Sequence, residues 1–322
     1  MPLLPMVNAL DDWRPIFTDP TVWRRAIEQI WRRHRLGDVR TIGRTFPGSN
    51  AVFVVNDAWV VKIFAPFWEA DAEREIELLR VLSSVPGIPA PRLIADGWLE
   101  DIRPWRYLIM THCPGARLGD VWDQVPPSDR ESILHHLADM LRGLHAVPVA
   151  RFSTMDGRPE AWRQFVEKRI ERAETHHRSR SMPEPLLREL PGYLAEAAPL
   201  LCDRVQPTVI HADLTRDHLL LASQDGRWRI VGLIDFGDAM VGRRDYEWVA
   251  LHLDLLDADR CWLRSFLRAY DPDLLVDTDF PRRMMALSLL HLFSDLTPLI
   301  ERLGGPQRVR TLADLERALW RV

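Results

Sequence analysis

The chain has 322 residues, 47% hydrophobic and 27% charged, with a net charge of only −4. That length suits a two-lobed unit with ample core, and the near-balanced charge excludes the basic surface or tail of a nucleic-acid binder. Cys113, Cys202 and Cys261 stand alone without a C-x-x-C pair, which argues against a disulfide framework or zinc site and for a reducing compartment. The opening MPLLPMVNAL lacks a basic n-region, and no apolar run approaches the roughly 18–20 residues of a membrane span. A cytoplasmic protein with no membrane and no nucleic-acid partner is expected.

In chain order, residues 1–40 are expected to be helical, with Trp23, Ile27, Ile30 and Trp31 at three- and four-residue spacing. TIGRTFPGSNAVFVVNDAWVVKIFAPFW follows, rich in β-branched and aromatic residues, and Asn56-Asp57 between two apolar runs predicts a tight hairpin. The helical pattern returns from Glu69 to Leu82 and is stopped by SVPGIPAP. RYLIMTHCPG reads as a buried strand, Tyr107 to Met110, running into a break at Pro114-Gly115. Beyond it the pattern is helical over 128–145, 159–177, 184–202, 245–270 and 280–303, interrupted by one strand hairpin. The expected fold class is α+β: a small sheet-rich lobe over 1–112 and a larger, mostly helical lobe over 113–322, hinged near 111–116.

The hairpin carries the chemistry. VIHADLTRDHLLL (209–221) halts an apolar run with His211, Asp213, Asp217 and His218 in one short loop, more ionisable groups than a core needs. An apolar strand then runs to the turn Gln224-Asp225-Gly226 and returns to Ile234, which would bring Asp235 to within about two residues of facing His218. Asp213, His218 and Asp235 would gather at one end of the hairpin. Two carboxylates beside an imidazole call for a cation, and hard oxygen donors favour Mg²⁺.

That order matches the phosphotransferase plan of the protein kinases, in which a catalytic Asp follows a His by two residues, a metal position follows it by seven, and a D-F-G Asp comes on the next strand. Here those places are held by Asp213, His218 and Asp235, counted from His211. Upstream, Lys62 interrupts the apolar strand WVVKIF, where an ammonium needs a carboxylate. Glu75 in EREIELLRVL is the expected partner, with Glu73 and Glu77 as competitors, and the pair would seat the phosphates of ATP or GTP. A snorkelling surface lysine is the alternative. PGSNA (47–51) stands where a phosphate-covering loop belongs; Ser49 and Asn50 would donate to phosphate or simply form a turn. After Met110, the backbone of Thr111 and Cys113 would meet the edge of the base.

With these residues assembled, the chain resembles the aminoglycoside phosphotransferases, antibiotic-resistance kinases with a bilobal protein-kinase-like fold, from about residue 40 to 300. The likeness rests on VVKIF, EREIELLRVL, YLIMTHCPG, LRGLHAVP, IHADLTRDHLL and LIDFGDAMVGRRDYEW. WVVKIFAPFW, the hinge and VALHLDLL look most like the hygromycin B kinases, while DHLLL and IDFGDA are also similar to the gentamicin-type kinases. The resemblance implies that Asp213, in one loop with His211, orients or deprotonates the acceptor hydroxyl. It also implies that Asp235 holds Mg²⁺ with His218 at a second metal position, and that Lys62 and Glu75 seat the nucleotide. Three departures stand out: His218 where most members have Asn, Ala212 where most have Gly, and TRD in place of His-Pro-Gly.

Acceptor identity must come from the helical lobe. Asp238, Asp245, Glu247, Asp254, Asp257 and Asp259 follow the D-F-G segment and would draw a cationic amino sugar. Asp254 and Asp257, three apart on the expected helix over 245–270, would share one face, and with Asp238 they are the substrate-binding candidates; Asp245 is expected to anchor the loop. EKRIERAETHHRSR (167–180) reads as solvated surface. The expected activity is Mg²⁺- and ATP- or GTP-dependent phosphorylation of a hydroxyl on an aminocyclitol antibiotic of the hygromycin B kind. The alternatives are a choline, sugar-amine or homoserine kinase, a macrolide kinase, or a nucleotide-binding pseudokinase, the last motivated by His218 alone.

Overall fold

The computed structural model describes residues 3–7, 10–44 and 48–322; Pro47 of the PGSNA loop lies outside them. The chain divides into two compact units, Met1–Gly115 with Val231–Asp238, and Ala116–Ile230 with Ala239–Val322. A contiguous division after residue 112 therefore misses a return: the D-F-G segment belongs with the N-terminal residues.

The first unit opens with α1 (Leu10–Trp13) and α2 (Pro20–His34), so only part of residues 1–40 is helical. Asp19 caps α2 by accepting from Thr21 N, and the apolar spacing buries Trp23, Ala26, Ile27, Ile30 and Trp31. Five antiparallel strands follow: β1 (Ile42–Arg44), β2 (Ala51–Val55), β3 (Trp59–Ile63), β4 (Leu93–Leu99) and β5 (Trp105–Thr111), in the order β1-β2-β3-β5-β4. The β2–β3 turn is made by Asn56 and Asp57 at φ 53° and 57°, the left-handed pair that a tight hairpin requires. Between β3 and β4 lies α3 (Glu69–Leu82), which buries Ala72, Ile76, Leu79 and Leu82 and, in the middle of that apolar face, Glu75. Trp13, Trp23 and Trp105 interlock with ring centroids 5.6–5.7 Å apart, tying the leading helices to the sheet.

The second unit begins with β6 (Ala116–Arg117) and α4 (Leu118–Val121), then packs α5 (Pro127–His145), α6 (Pro159–Ser179) and α7 (Glu184–Cys202). β7 (Thr208–Ile210) leads into the polar loop, and β8 (Leu219–Gln224) turns through Asp225-Gly226 into β9 (Arg227–Leu233), whose last residues pass to the first unit. β10 (Met240–Gly242) pairs with β7.

The expected helix over 245–270 is broken. Its pieces are α8 (Glu247–Ala250), a π-helical turn (Leu251–Leu255) and α9 (Arg260–Tyr270), because Asp257 and Ala258 adopt φ 53° and 56° and Asp259 caps α9 afresh. The expected helix over 280–303 splits likewise into α10 (Phe280–Leu290) and α11 (Thr297–Arg302), since His291 is extended; α12 (Leu312–Trp320) ends the unit.

The charge run at 167–180 is not all solvated surface. Arg169 donates to the carbonyls of Leu290 and His291, His176 to Ser294, and buried His177 to Leu289, so one side of α6 satisfies the open carbonyls after α10. No helix among the described residues is long and apolar enough to cross a membrane.

Burial pushes His177, His252 and His291 down to about 4 each, against partial support from hydrogen bonds to the Leu289, Leu319 and Ala212 carbonyls. These groups stay neutral in the fold while the unfolded chain protonates below about 6.5, so stability present above that pH is lost as it falls towards 4. Urea unfolding is expected to show the unfolding free energy dropping steeply across this window, by up to ~3 kcal/mol per histidine; a flat profile would contradict the buried neutral state.

Candidate active site

Lys62 stands on β3, the middle strand of its sheet, in register with Val52 and Leu108 and 2% exposed. Its Nζ donates to Glu75 Oε2 and to Asp235 Oδ1, each at 2.7 Å. Of the three competing glutamates Glu73, Glu75 and Glu77 on α3 it is thus Glu75 that reaches Lys62, while Glu73 is engaged by Arg106. Burial alone would push the ammonium down; Asp235 and then Glu75 outweigh it and hold Lys62 above the ordinary lysine range. Glu75 is pushed up to about 6 by burial, with Lys62 pulling it back and Asp235 adding to the rise, so it remains ionised at neutral pH.

Asp235 holds its position at φ 63°, and Arg74 donates to the Gly237 carbonyl while pairing with Asp71. Burial raises Asp71 and Asp238, and Asp235 raises both further. Lys62 and Arg74 therefore face four carboxylates: Asp71, Glu75, Asp235 and Asp238. Asp238, read from the sequence as an acceptor contact beside Asp254 and Asp257, is grouped instead with Asp235 in the first unit. Asp71 and Arg74 were not singled out by the sequence, where they sit among many charges on one helix.

Thr111 already spends its N–H on the Arg92 carbonyl, and its hydroxyl oxygen accepts from the Arg92 N–H, so it ties the end of β5 to Arg92 and that N–H is not open to a base. Cys113, half-buried, follows it at the end of the strand. Ser49 is exposed, with its carbonyl taken by Trp13 Nε1 at 2.7 Å, and the buried Oδ1 of Asn50 has no partner among the described residues.

In the second unit the loop after β7 is pinned at three points. Glu247 Oε2 accepts from His211 N at 2.6 Å, His291 Nε2 donates to the Ala212 carbonyl at 3.0 Å, and Asp254 Oδ1 accepts from Arg216 N at 2.8 Å. Within the loop, His211 Nδ1 accepts from Asp213 N at 3.4 Å and His218 Nδ1 donates to the Asp213 carbonyl at 2.7 Å. His211 is fully buried, so it positions the Asp213 backbone and does not itself meet a substrate as a catalytic group. The donation by His218 fixes its tautomer, which leaves the lone pair on Nε2 as the one a metal could take.

Glu247 is likewise a buried anchor, not an acid facing a substrate, and Asp245 is held by Arg243 at 2.6 Å and Arg283 at 2.8 Å. A lone acid or His inside an apolar run, as in YEWVA and LLHLF, is the signal that marks Glu247 and His291.

Asp213 lines a cavity of about 500 Å³ together with Asp254, Asp257, Asp295, Phe293 and Leu299. Asp254 and Asp257 both line it, brought there by the break in the helix and not by a shared helix face. Each already has a partner: Asp254 holds Arg216, and Asp257 pairs with Arg302 at 2.6 Å. Among the described residues no group of three or more His, Cys, Asp or Glu side chains forms a ready metal cage.

A sequence model described as the phosphotransferase enzyme family matches residues 43–284. The chain belongs to that family. Among solved structures, this phosphotransferase is 21% identical to wild-type aminoglycoside 2'-phosphotransferase-IIIa in its GDP complex, covering 92% of this chain and 95% of that one with a TM-score of 0.68. The GDP and kanamycin complex of APH(2")-IIIa gives 22%, 92%, 96% and 0.63 in the same order. A thermostable mutant of APH(4)-Ia, apo form, gives 19%, 81%, 89% and 0.58. These likenesses establish the kinase-like α+β fold. No curated protein matches the chain at a significant level.

The family setting explains one departure. Ala212 adopts φ 65°, a left-handed conformation that glycine reaches without a Cβ penalty, and the His291 and Glu247 contacts on either side hold alanine there. For the buried ion group, Lys62→Met is expected to cost about 3–5 kcal/mol in urea unfolding because it strands Glu75, and Lys62→Met with Glu75→Met should recover about half. A neutral Lys62→Met would contradict the coupling.

Proposed function

We propose that this phosphotransferase moves the γ-phosphoryl group of ATP or GTP to a hydroxyl of an aminoglycoside or aminocyclitol antibiotic, with a hygromycin B-like acceptor as the leading candidate. The observation that carries the reading is the placement of Asp213: 16% exposed, held at the backbone by His211 and His218, and facing a cavity large enough for a small molecule. In this reading Asp213 accepts the hydroxyl proton as the acceptor oxygen bonds to phosphorus and the bond to the β-phosphate oxygen breaks. Lys62, fixed by Glu75, binds phosphate oxygens, and the hinge contact to the base falls to Cys113.

Magnesium suits the first unit's donor set. Asp235 keeps a side chain 38% exposed beside Asp71 and Asp238, a surplus of hard oxygen donors. Mg²⁺ commonly takes one or two carboxylates plus phosphate and water, so a closed protein cage is not required. Asp235 would hold the ion, which would neutralise charge on the phosphates.

A second reading has its own support. The wall of the Asp213 cavity is largely apolar, including Val249, Leu253, Phe293, Leu296 and Leu299, and of its acids Asp257 is already paired with Arg302 while Asp254 accepts from the Arg216 backbone N–H. An acceptor with few ammonium groups and more apolar surface, as a macrolide kinase would take, fits that wall. Growth of a susceptible host on a panel of aminoglycosides and macrolides separates the two: protection against an aminocyclitol supports the first, and protection confined to macrolides overturns it.

For catalysis, Asp213→Asn is expected to lower turnover by about 10²–10⁴-fold while nucleotide affinity stays within about twofold. Loss of nucleotide binding in that variant would remove Asp213 from the acceptor role.

A further inference from the structure

The second unit holds another cavity, of about 450 Å³, that shares no lining residue with the one beside Asp213. Arg204, Arg243, Arg244 and Arg283 line it, with His145 and Tyr270. Three carboxylates answer these four guanidiniums. Asp245 takes Arg243 and Arg283 at 2.6 and 2.8 Å, Asp277 takes Arg283 at 2.8 Å, and Asp271 takes Arg244 at 2.6 Å. Arg204 takes none: it makes no hydrogen bond or ion pair among the described residues. His145 adds a second unsatisfied group, since its side chain is 6% exposed and its Nε2 has no hydrogen-bond partner among the described residues.

Each guanidinium offers five N–H donors, and the paired arginines spend only one or two of theirs on these carboxylates. The donors that remain converge with a positive charge in surplus. Such a wall selects an oxyanion with several acceptor oxygens, and planar forks favour phosphate geometry. The volume falls in the range of small-molecule sites, which leaves room for an organic group on the phosphate.

We propose that this arginine-lined cavity binds a phosphate-bearing small molecule, independently of the acceptor and nucleotide sites. One wall gives it a route to the reaction centre: His145 Nε2 lies 3.7 Å from Glu247, the carboxylate that holds the His211 backbone.

The test is equilibrium dialysis of the full chain against labelled inorganic phosphate and, separately, labelled glucose 6-phosphate, for wild type, Arg204→Gln and Arg244→Gln. Wild type is expected to show a saturable site for at least one of them that weakens about tenfold or more in both variants, the scale of losing a charge-assisted hydrogen bond. Tighter binding of the sugar phosphate identifies a phosphate ester as the occupant, and equal binding identifies phosphate itself. Arg204→Gln should leave the melting temperature and the basal turnover unchanged, because that side chain has no structural partner. Absence of saturable binding to both probes, or equal affinity in wild type and Arg204→Gln, would overturn the site.

Discussion

An ammonium on the central strand of a sheet has no water to solvate it, so its burial must be answered by charge. Lys62 meets that demand with two carboxylates at 2.7 Å, one from α3 and one from the segment after β9. Each partner is itself constrained by the match. Glu75 sets the rotation of α3, because it must sit on the face that Ala72, Ile76 and Leu79 bury. Asp235 pulls residues 231–238 out of the helical unit's stretch of chain and into the first unit. One ion group thus fixes a strand, a helix and a distant segment.

In the second unit, a comparable demand falls on backbone groups. The loop from His211 to His218 makes few ladder bonds of its own, and side chains from α8, the π-helical turn and the end of α10 satisfy it. Those anchors are supported in turn: α6 collects the carbonyls after α10, and His291 stacks on Tyr246 with ring centroids 4.7 Å apart. A carboxylate meant to orient a hydroxyl must be held to a fraction of an ångström, and this layered support is the physical means.

The strongest local signals in the sequence were physical ones. Apolar periodicity marked α3, α5, α6 and α7 to within two residues at each end, while α2 was read only as part of a longer helical stretch, and Asn56-Asp57 marked the hairpin, because those patterns depend on neighbours a few residues apart. A lysine inside an apolar strand with a glutamate on the next helix pointed to a pair that the structure contains. Breaks at Asp257-Ala258 and at His291 were hidden, since the first comes from left-handed backbone and the second from an extended residue held by a tertiary contact, with no Gly or Pro at either. Partner choice was also illegible: nothing local says that Asp254 will cap Arg216, that Glu247 will be buried, or that Asp238 will join Asp235.

The central claim is that the carboxylate answering Lys62 also receives the metal that accompanies the nucleotide. Calorimetric titration of ATP and of GTP, with and without Mg²⁺, into wild type and Asp235→Asn tests it directly. The account predicts that Mg²⁺ tightens nucleotide binding to wild type and that Asp235→Asn abolishes this gain. An undiminished magnesium effect in Asp235→Asn would contradict it.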